Sequence, residues 1–136
     1  MSLVLDSSAT LAWVYADETT QSVLDMFELV IESGAWVPSL WRLEVANVLE
    51  MNTRRGRHDA AFRDATLADL ALLPIRFDPE TNDHPWTATI RLASFHQLTV
   101  YDAAYLELAQ RRGLPLATLD QELGRAARLE RIPVLA

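Results

Sequence analysis

The sequence predicts an α/β fold with a mostly parallel sheet. Short apolar runs typical of buried strands alternate along the chain with longer segments whose apolar residues recur every three or four positions. The chain has 136 residues, which is enough for one ordinary domain but not for two. Half of the residues are hydrophobic and only 4 are glycine and 6 proline, a composition that excludes disordered, collagen-like and linker-rich chains. We therefore expect one domain over residues 1–136.

The first half of the chain predicts two strands and several helices. Leu3-Val4-Leu5 is a buried-strand candidate, and Asp6-Ser7-Ser8 has the composition of a helix start. A helix from about Glu18 to Glu32 has apolar residues at i, i+3 and i+4 spacing and ends at Gly34. The next predicted elements are a strand at 35–37, a helix capped by Pro38-Ser39 that runs to Arg54 and is closed by Gly56, and a helix from His58 to Leu73.

The second half continues the alternation of strands and helices. The predicted strands are Ile75-Arg76-Phe77, Leu116-Ala117-Thr118 and Pro133-Val134-Leu135. The predicted helices are about Trp86–His96, Tyr101–Arg112 and Gln121–Leu129. Such an alternation is typical of a parallel sheet covered by helices.

Several classes of protein are excluded by missing residue types. No cysteine is present, so disulfides, thiolate catalysis and cysteine-ligated metals are excluded. All 12 basic residues are arginine, which excludes P-loop and Schiff-base chemistry because both need a lysine. The net charge of −7 disfavours nonspecific coating of nucleic acid, but it does not exclude a metal-dependent nuclease. The chain has neither a long apolar run nor a basic N-terminal signal, so we expect a soluble cytoplasmic protein that does not contact a membrane.

Two aspartates directly follow predicted strands. Asp6 follows Leu3-Val4-Leu5, and Asp120 follows the apolar run at 116–119. Ligands of an open parallel sheet bind beyond the carboxyl ends of its strands, so both residues are site candidates. Each residue also suits the N-cap of the following helix, which is a frequent role of aspartate at such a position. Both interpretations remain open.

Glu44 is a candidate because of its position in a predicted helix. At 100° per residue it lies at the centre of a face formed by Leu40, Trp41, Asn47, Val48 and Met51. A carboxylate among apolar neighbours must be paired, protonated or bound to a metal. The alternative to a site residue is a buried salt bridge to an arginine.

Asp102 is the fourth acidic candidate. It shares a predicted helix face with Tyr105, Leu106 and Ala109. The segment Thr99-Val100-Tyr101-Asp102 also has the form of a capping box, in which the Asp102 carboxylate would bind the Thr99 amide. On local pattern the two interpretations are about equal.

One acidic pocket would explain all four residues together. Two carboxylates at strand ends and two on helix faces could converge, and divalent cations would relieve their mutual repulsion. Oxygen ligands select hard ions, hence Mg²⁺ or Mn²⁺. Such ions activate water and stabilise the leaving oxygen of a phosphodiester.

The motifs around these acids resemble those of the PIN-domain ribonucleases, and more narrowly the VapC-type toxins of type II toxin–antitoxin systems. The matching segments contain Asp6 in Leu-Val-Leu-Asp-Ser-Ser, Glu44 in Leu-Glu-Val-Ala-Asn, Asp102 in Thr-Val-Tyr-Asp-Ala-Ala-Tyr, and Asp120 in Ala-Thr-Leu-Asp-Gln-Glu-Leu. The resemblance covers essentially the whole chain, and Tyr-Asp-Ala-Ala-Tyr is its most specific part. It therefore implies a single PIN domain over residues 1–136.

The resemblance implies a three-layer α/β/α sandwich with a parallel five-stranded sheet. Asp6, Glu44, Asp102 and Asp120 would hold Mg²⁺ or Mn²⁺, with Ser7, Asn47 and Thr118 as supporting residues. The reaction would be RNA cleavage by a metal-activated water that leaves 3′-hydroxyl and 5′-phosphate ends. The implied partners are an RNA substrate, a cognate antitoxin and a second copy of the chain.

Two other functions are alternatives, of which the first would use the same acidic pocket, whereas the presence of all four acids argues against the second. One is a metal-dependent hydrolase of small phosphoesters, and the other is a degenerate PIN scaffold that only binds a partner.

Weaker candidates lie outside the acidic motifs. Arg54, Arg55 and Arg57 could contact RNA phosphates, although arginines before a glycine more often mark a helix C-terminus. The three histidines lack metal-ligand spacing and are expected on the surface or in loops. Trp13-Val14-Tyr15 and the first long helix are candidates for a dimer or antitoxin contact.

Overall fold

The computed structural model describes every residue from Met1 to Ala136 and contains a parallel five-stranded sheet. The strands are β1 (Leu3–Leu5), β2 (Ala35–Val37), β3 (Ile75–Phe77), β4 (Leu116–Ala117) and β5 (Val134–Leu135). Their order across the sheet is β3-β2-β1-β4-β5, and every neighbouring pair is parallel. All five strands were predicted, and the fold class is confirmed.

Seven α-helices connect the strands. They are α1 (Ser7–Val14), α2 (Gln21–Ser33), α3 (Trp41–Arg54), α4 (Ala60–Leu70), α5 (Ile90–His96), α6 (Val100–Arg112) and α7 (Gln121–Leu129). Short 3₁₀ turns cover Ala16–Glu18 and Thr81–Asp83, and a π-helical segment, Pro85–Thr89, leads into α5. None of these helices has the length and apolar character needed to cross a bilayer.

Capping residues explain where three helices differ from the prediction. The helix expected from about Glu18 begins at Gln21, because the Thr20 hydroxyl accepts the Val23 N–H. The helix expected from His58 begins at Ala60, because Asp59 accepts the Phe62 N–H. The expected cap by Ser39 is wrong, since α3 begins at Trp41 with no side-chain cap.

The connections divide the helices between the two faces of the sheet. From β1 to β3 the chain moves toward one edge, and it then crosses to β4 and β5 on the other side of β1. Right-handed crossovers therefore place α1 to α4 on one face and α5 to α7 on the other. The direction of the chain reverses between β1 and β4, and this is the point at which open α/β sheets bind ligands.

The core contains 27 buried residues and includes all of β1. Trp13 stacks on Phe27 with ring centroids 4.3 Å apart, and Tyr15 is only 6% exposed. Trp13 and Val14 are half-buried and pack against the core, whereas Tyr15 belongs to it; the contact role expected for this stretch stays a prediction. Among the four tryptophans, the freely exposed one is Trp86, at 94%.

His58 and His84 lie in loops as expected, whereas His96 does not. His96, at the end of α5, is 3% exposed, and its Nε2 lies 2.7 Å from Glu130 Oε2. His58 is half-buried, with Nε2 2.8 Å from the Tyr15 hydroxyl. Sequence spacing carried no information about these partners.

Gly34 is expected to tolerate alanine poorly. Its φ of 74° and ψ of 177° fall in a region that only glycine occupies readily, and a Cβ would lie 3.0 Å from the Pro74 carbonyl oxygen. We expect Gly34→Ala to lower the free energy of unfolding by about 2–3 kcal/mol, from backbone strain and the contact together. Gly56→Ala is the control, because φ is 79° there but no atom lies within 4 Å of the added Cβ. Urea unfolding of both variants tests this, and equal losses would contradict the role of the Pro74 contact.

Candidate active site

Asp6 and Asp120 lie at adjacent strand ends and also cap helices. Asp6 follows β1, and its Oδ1 accepts the Ala9 N–H at 2.8 Å. Asp120 follows β4, and its Oδ1 accepts the Leu123 N–H at 2.8 Å. The capping interpretation is therefore correct for both residues. It does not exclude a site, because each cap bond uses one carboxylate oxygen.

Hydroxyl groups hold the Asp6 carboxylate in place. The Ser8 hydroxyl donates to this carboxylate, and its Oγ lies 2.8 Å from Oδ1 and 2.9 Å from Oδ2. The Thr118 hydroxyl donates to Oδ2. Thr118 Oγ1 in turn accepts the Asp120 N–H at 3.0 Å, and so links the two strand ends. Thr118 thus lies where a supporting residue was expected. Ser8 was missed, although it lies only two positions after Asp6.

The four predicted acids are electrostatically coupled. Burial raises the pKa of Asp6 to about 6, and the charge of Asp120 adds to this rise. Burial also raises the pKa of Asp102, again helped by Asp120, and the pKa of Glu44, helped by Asp102. None of the four carboxylates forms a salt bridge. The cluster therefore has no cationic side chain to balance its charge.

Glu44 is held by a tyrosine and not by the arginine that the alternative interpretation required. The Tyr105 hydroxyl donates to Glu44 Oε1 at 2.5 Å. Burial, and then the nearby Glu44 charge, raises the pKa of Tyr105, so the phenol keeps its proton and remains a donor. Tyr105 lies three residues after Asp102 on α6, and this spacing is the sequence signal that could have identified it.

Two predicted supporting residues lie near Glu44 but differ in their contacts. The Ser7 hydroxyl lowers the pKa of Glu44 by hydrogen bonding, although burial outweighs this effect. Asn47 is exposed and makes no hydrogen bond to Glu44, so its predicted orienting contact is not made. The buried stripe of α3 consists of Trp41, Val45 and Leu49. Glu44 lies beside this stripe and is half-buried.

Asp102 forms only half of the predicted capping box. Its backbone N–H donates to Thr99 Oγ1 at 3.1 Å, which caps α6. The reciprocal bond from the Thr99 N–H to the Asp102 carboxylate is absent. The Asp102 carboxylate is therefore not bound to the Thr99 N–H; burial and then the Asp120 charge raise its pKa, and a hydrogen bond with the Thr99 side chain opposes this rise.

The donor chemistry of the cluster suits a hard divalent cation. Four carboxylates with hydroxyl neighbours and no nearby cation offer oxygen ligands only, as Mg²⁺ and Mn²⁺ prefer. No three acidic or histidine side chains converge closely enough to hold a metal directly. This spacing is compatible with Mg²⁺, which usually keeps several waters and binds one or two carboxylates directly.

The basic residues at the C-terminal end of α3 are mostly paired. Arg54 Nε lies 3.0 Å from Glu50, and Arg57 bonds to Asp17 at 2.8 Å and to Glu18 at 3.0 Å. Arg55 is exposed and forms no ion pair. The helix ends at Arg54, which agrees with the helix-terminus interpretation.

Comparison with known proteins places the chain in a family. A model of the PIN domain matches residues 3–129. Ribonuclease VapC3 of Pyrobaculum aerophilum is 30% identical over 141 residues, which cover 99% of this chain and 98% of that protein.

Solved structures agree with this assignment. The crystal structure of PAE2754 from Pyrobaculum aerophilum has a TM-score of 0.71 at 25% identity and covers 99% of this chain and 84% of that one. The crystal structure of FitAcB from Neisseria gonorrhoeae shares the fold, with a TM-score of 0.68 at 14% identity over 100% of this chain and 97% of that one. The chain therefore belongs to the PIN-domain family, among its VapC-type members.

Proposed function

We propose that the chain is an RNA endonuclease that depends on Mg²⁺ or Mn²⁺ and acts as the toxin of a toxin–antitoxin pair. The observation that carries the proposal is the cluster of four coupled carboxylates without a cationic partner. Such a cluster stores electrostatic repulsion that a divalent ion would relieve. The similarity to a protein named ribonuclease supports RNA as the substrate.

Each residue of the cluster has a proposed role. Asp6, Glu44, Asp102 and Asp120 would hold the metal, directly or through its waters. A bound divalent ion would supply an activated water and would stabilise the leaving oxygen of the phosphodiester. The 3′-hydroxyl and 5′-phosphate ends implied by the resemblance are part of the proposal.

Three groups around the cluster position its carboxylates. The Ser8 and Thr118 hydroxyls fix both oxygens of Asp6, and the Tyr105 hydroxyl fixes one oxygen of Glu44. These bonds leave the remaining carboxylate oxygens in defined positions before any ligand binds. Pre-positioned ligands reduce the reorganisation required during the reaction.

The partners follow from the same assignment. A cognate antitoxin would block the site. Because an RNA substrate requires that the protein act where RNA is present, we also propose that the protein acts in the cytoplasm.

A homodimer is also proposed. Its support is the exposed apolar surface of the segment 85–96, where Trp86 is 94% and Phe95 78% exposed. Sedimentation of the partner-free protein measures the oligomeric state.

Metal binding and RNA cleavage are expected together. Calorimetric titration of the partner-free protein with Mn²⁺ should show saturable binding, and addition of cellular RNA should then yield discrete fragments. EDTA should abolish cleavage because the carboxylates alone cannot activate water.

Three results would contradict the proposal. Hydrolysis of a chromogenic phosphate ester without RNA cleavage would indicate a small-phosphoester hydrolase. Cleavage that persists in EDTA would exclude metal dependence. Absence of Mn²⁺ binding would favour a scaffold that only binds a partner.

A further inference from the structure

A cavity of about 320 Å³ opens beside the acidic cluster. Ser8 and Asp120 form its wall on the side of the cluster, and the cavity extends from there toward the C-terminal end of α3. Its apolar lining includes Leu11, Val48 and Leu119. A group held in this cavity would therefore lie next to a phosphodiester bound at the carboxylates.

We propose that this cavity binds the nucleobase next to the cleaved phosphodiester, with a preference for amino-bearing bases over uracil. The position of the base relative to the cut rests on the proposed RNA cleavage. The volume lies near the lower end of small-molecule sites, and a lining of both apolar and polar side chains matches the flat faces and polar edges of a base.

The charges around the cavity favour a base over a phosphate. Glu18 and Asp120 are both part of its lining, and the one basic lining residue is Arg57. Arg57 is already bonded to Asp17 and Glu18, so its charge is balanced. A phosphate would therefore meet net negative charge, whereas a neutral base would not.

Arg57 also offers a stacking surface. Its guanidinium lies over the Tyr15 ring, 3.7 Å from the ring centroid, and its side chain is 36% exposed. Guanidinium planes and aromatic rings are common platforms for unstacked RNA bases. The ion pairs with Asp17 and Glu18 hold this plane at the rim of the cavity.

Two free acceptor atoms at the rim account for the preference. Asn52 Nδ2 donates to the Tyr15 hydroxyl at 2.9 Å, which leaves Asn52 Oδ1 without a partner. Glu18 binds Arg57 through Oε2, so its Oε1 is also free. Adenine, cytosine and guanine each carry an exocyclic amino group whose two N–H donors can serve both acceptors, whereas uracil has no amino group and offers only its single N3–H.

Binding of the four nucleosides to the metal-free full chain tests the proposal without any cleavage. NMR titration with adenosine, cytidine, guanosine and uridine should shift the resonances of Leu11, Val48 and Asn52, with uridine binding several-fold more weakly. Asn52→Leu should weaken binding of the amino-bearing nucleosides about tenfold, because leucine is similar in size to asparagine but has no acceptor oxygen. Asn82→Leu, the same change at an exposed position outside the cavity, should have no effect.

A second variant, Glu18→Gln, tests the proposal even if Asn52→Leu does not fold. Glu18 lies in an exposed 3₁₀ turn, and Glu18→Gln replaces an acceptor with a group that also donates. It should reduce the discrimination against uridine. Equal binding of all four nucleosides, or unchanged binding in both variants, would overturn the proposal.

Cleavage assays separate this proposal from the proposed function. RNA oligonucleotides that differ at one base should be cut with a preference in the parent that Asn52→Leu weakens. Cleavage with the same base preference in both would overturn the base-binding role and leave the nuclease intact. Nucleoside binding as described, without RNA cleavage by any variant, would support the cavity's base specificity and contradict the nuclease.

Discussion

Replacing Asp6 with asparagine is expected to lower the rate of RNA cleavage roughly a thousandfold. Replacing a residue that only supports a metal ligand typically costs a smaller, ten- to hundredfold loss of activity. Asparagine keeps the shape of the side chain and an oxygen that can accept the Ala9 N–H. It removes one negative charge of the cluster, and with it a proposed metal ligand. Mn²⁺ binding should weaken in parallel.

The same variant is expected to be at least as stable as the parent. Burial raises the pKa of Asp6 from 3.8 to about 6, so keeping this carboxylate charged at neutral pH costs on the order of 3 kcal/mol. Asparagine removes that cost. Asp6→Ala is a poorer test, because it also removes the helix cap, worth about 1 kcal/mol.

Thermal unfolding and cleavage should be measured on the same samples. Asp69→Asn is the matched control, because Asp69 is exposed on α4 and the change in net charge is identical. It should cleave RNA at the parent rate. Parent-like cleavage by Asp6→Asn would exclude the four-acid site, and a large loss of stability would contradict the electrostatic account.

Local sequence patterns predicted the strands and singled out the four acids as candidates, but they did not predict what each acid contacts. Asp6 and Asp120 were identified because a strand end fixes the edge of the sheet at which a side chain lies. Glu44 was identified by helical periodicity, which gives a face but no partner. Its donor, Tyr105, is 61 positions away in the chain; the spacing from Asp102 places Tyr105 on the acidic face of α6, but no local pattern pairs it with Glu44.

Asp78 shows the limit of the same rule. It follows β3 directly, as Asp6 follows β1, so the strand-end argument would make it an equally good site candidate. In the structure it is bound by Arg111 and Arg112, which come from the end of α6. Whether a strand-end acid is free or paired thus depends on a helix 33 positions later, which sequence spacing does not reveal.

Replacing Asp78 with alanine is expected to destabilise the fold by about 3–5 kcal/mol, the typical cost of removing one partner from a buried ion pair. The Asp78 side chain is fully buried, and Arg111 Nη2 lies 2.6 Å from its Oδ2. Arg112 bonds to the other oxygen at 3.1 Å while its guanidinium lies over Trp36. Without Asp78, two partly buried guanidinium groups would lose their shared acceptor.

Glu80→Ala is the matched control for this loss. Glu80 also contacts Arg111, at 3.3 Å, but its side chain is 53% exposed. Exposed pairs of this kind are worth about 1 kcal/mol or less, so the control should remain close to the parent in urea unfolding. Similar losses in the two variants would show that burial of Asp78 is not what makes its ion pairs important.

The pH dependence of stability provides an independent measurement of the same ion pairs. Burial alone would raise the pKa of Asp78, but hydrogen bonds from Arg111 and Arg112 outweigh it and lower the pKa from 3.8 to about 2. An acid whose pKa is lower in the folded state stabilises the fold above its unfolded pKa and loses that contribution as pH falls. About 2 kcal/mol should therefore be present above pH 4 and disappear between about pH 4 and 2. Asp78→Asn should remove this part of the pH dependence, and an unchanged acid limb would show that Asp78 is not its source.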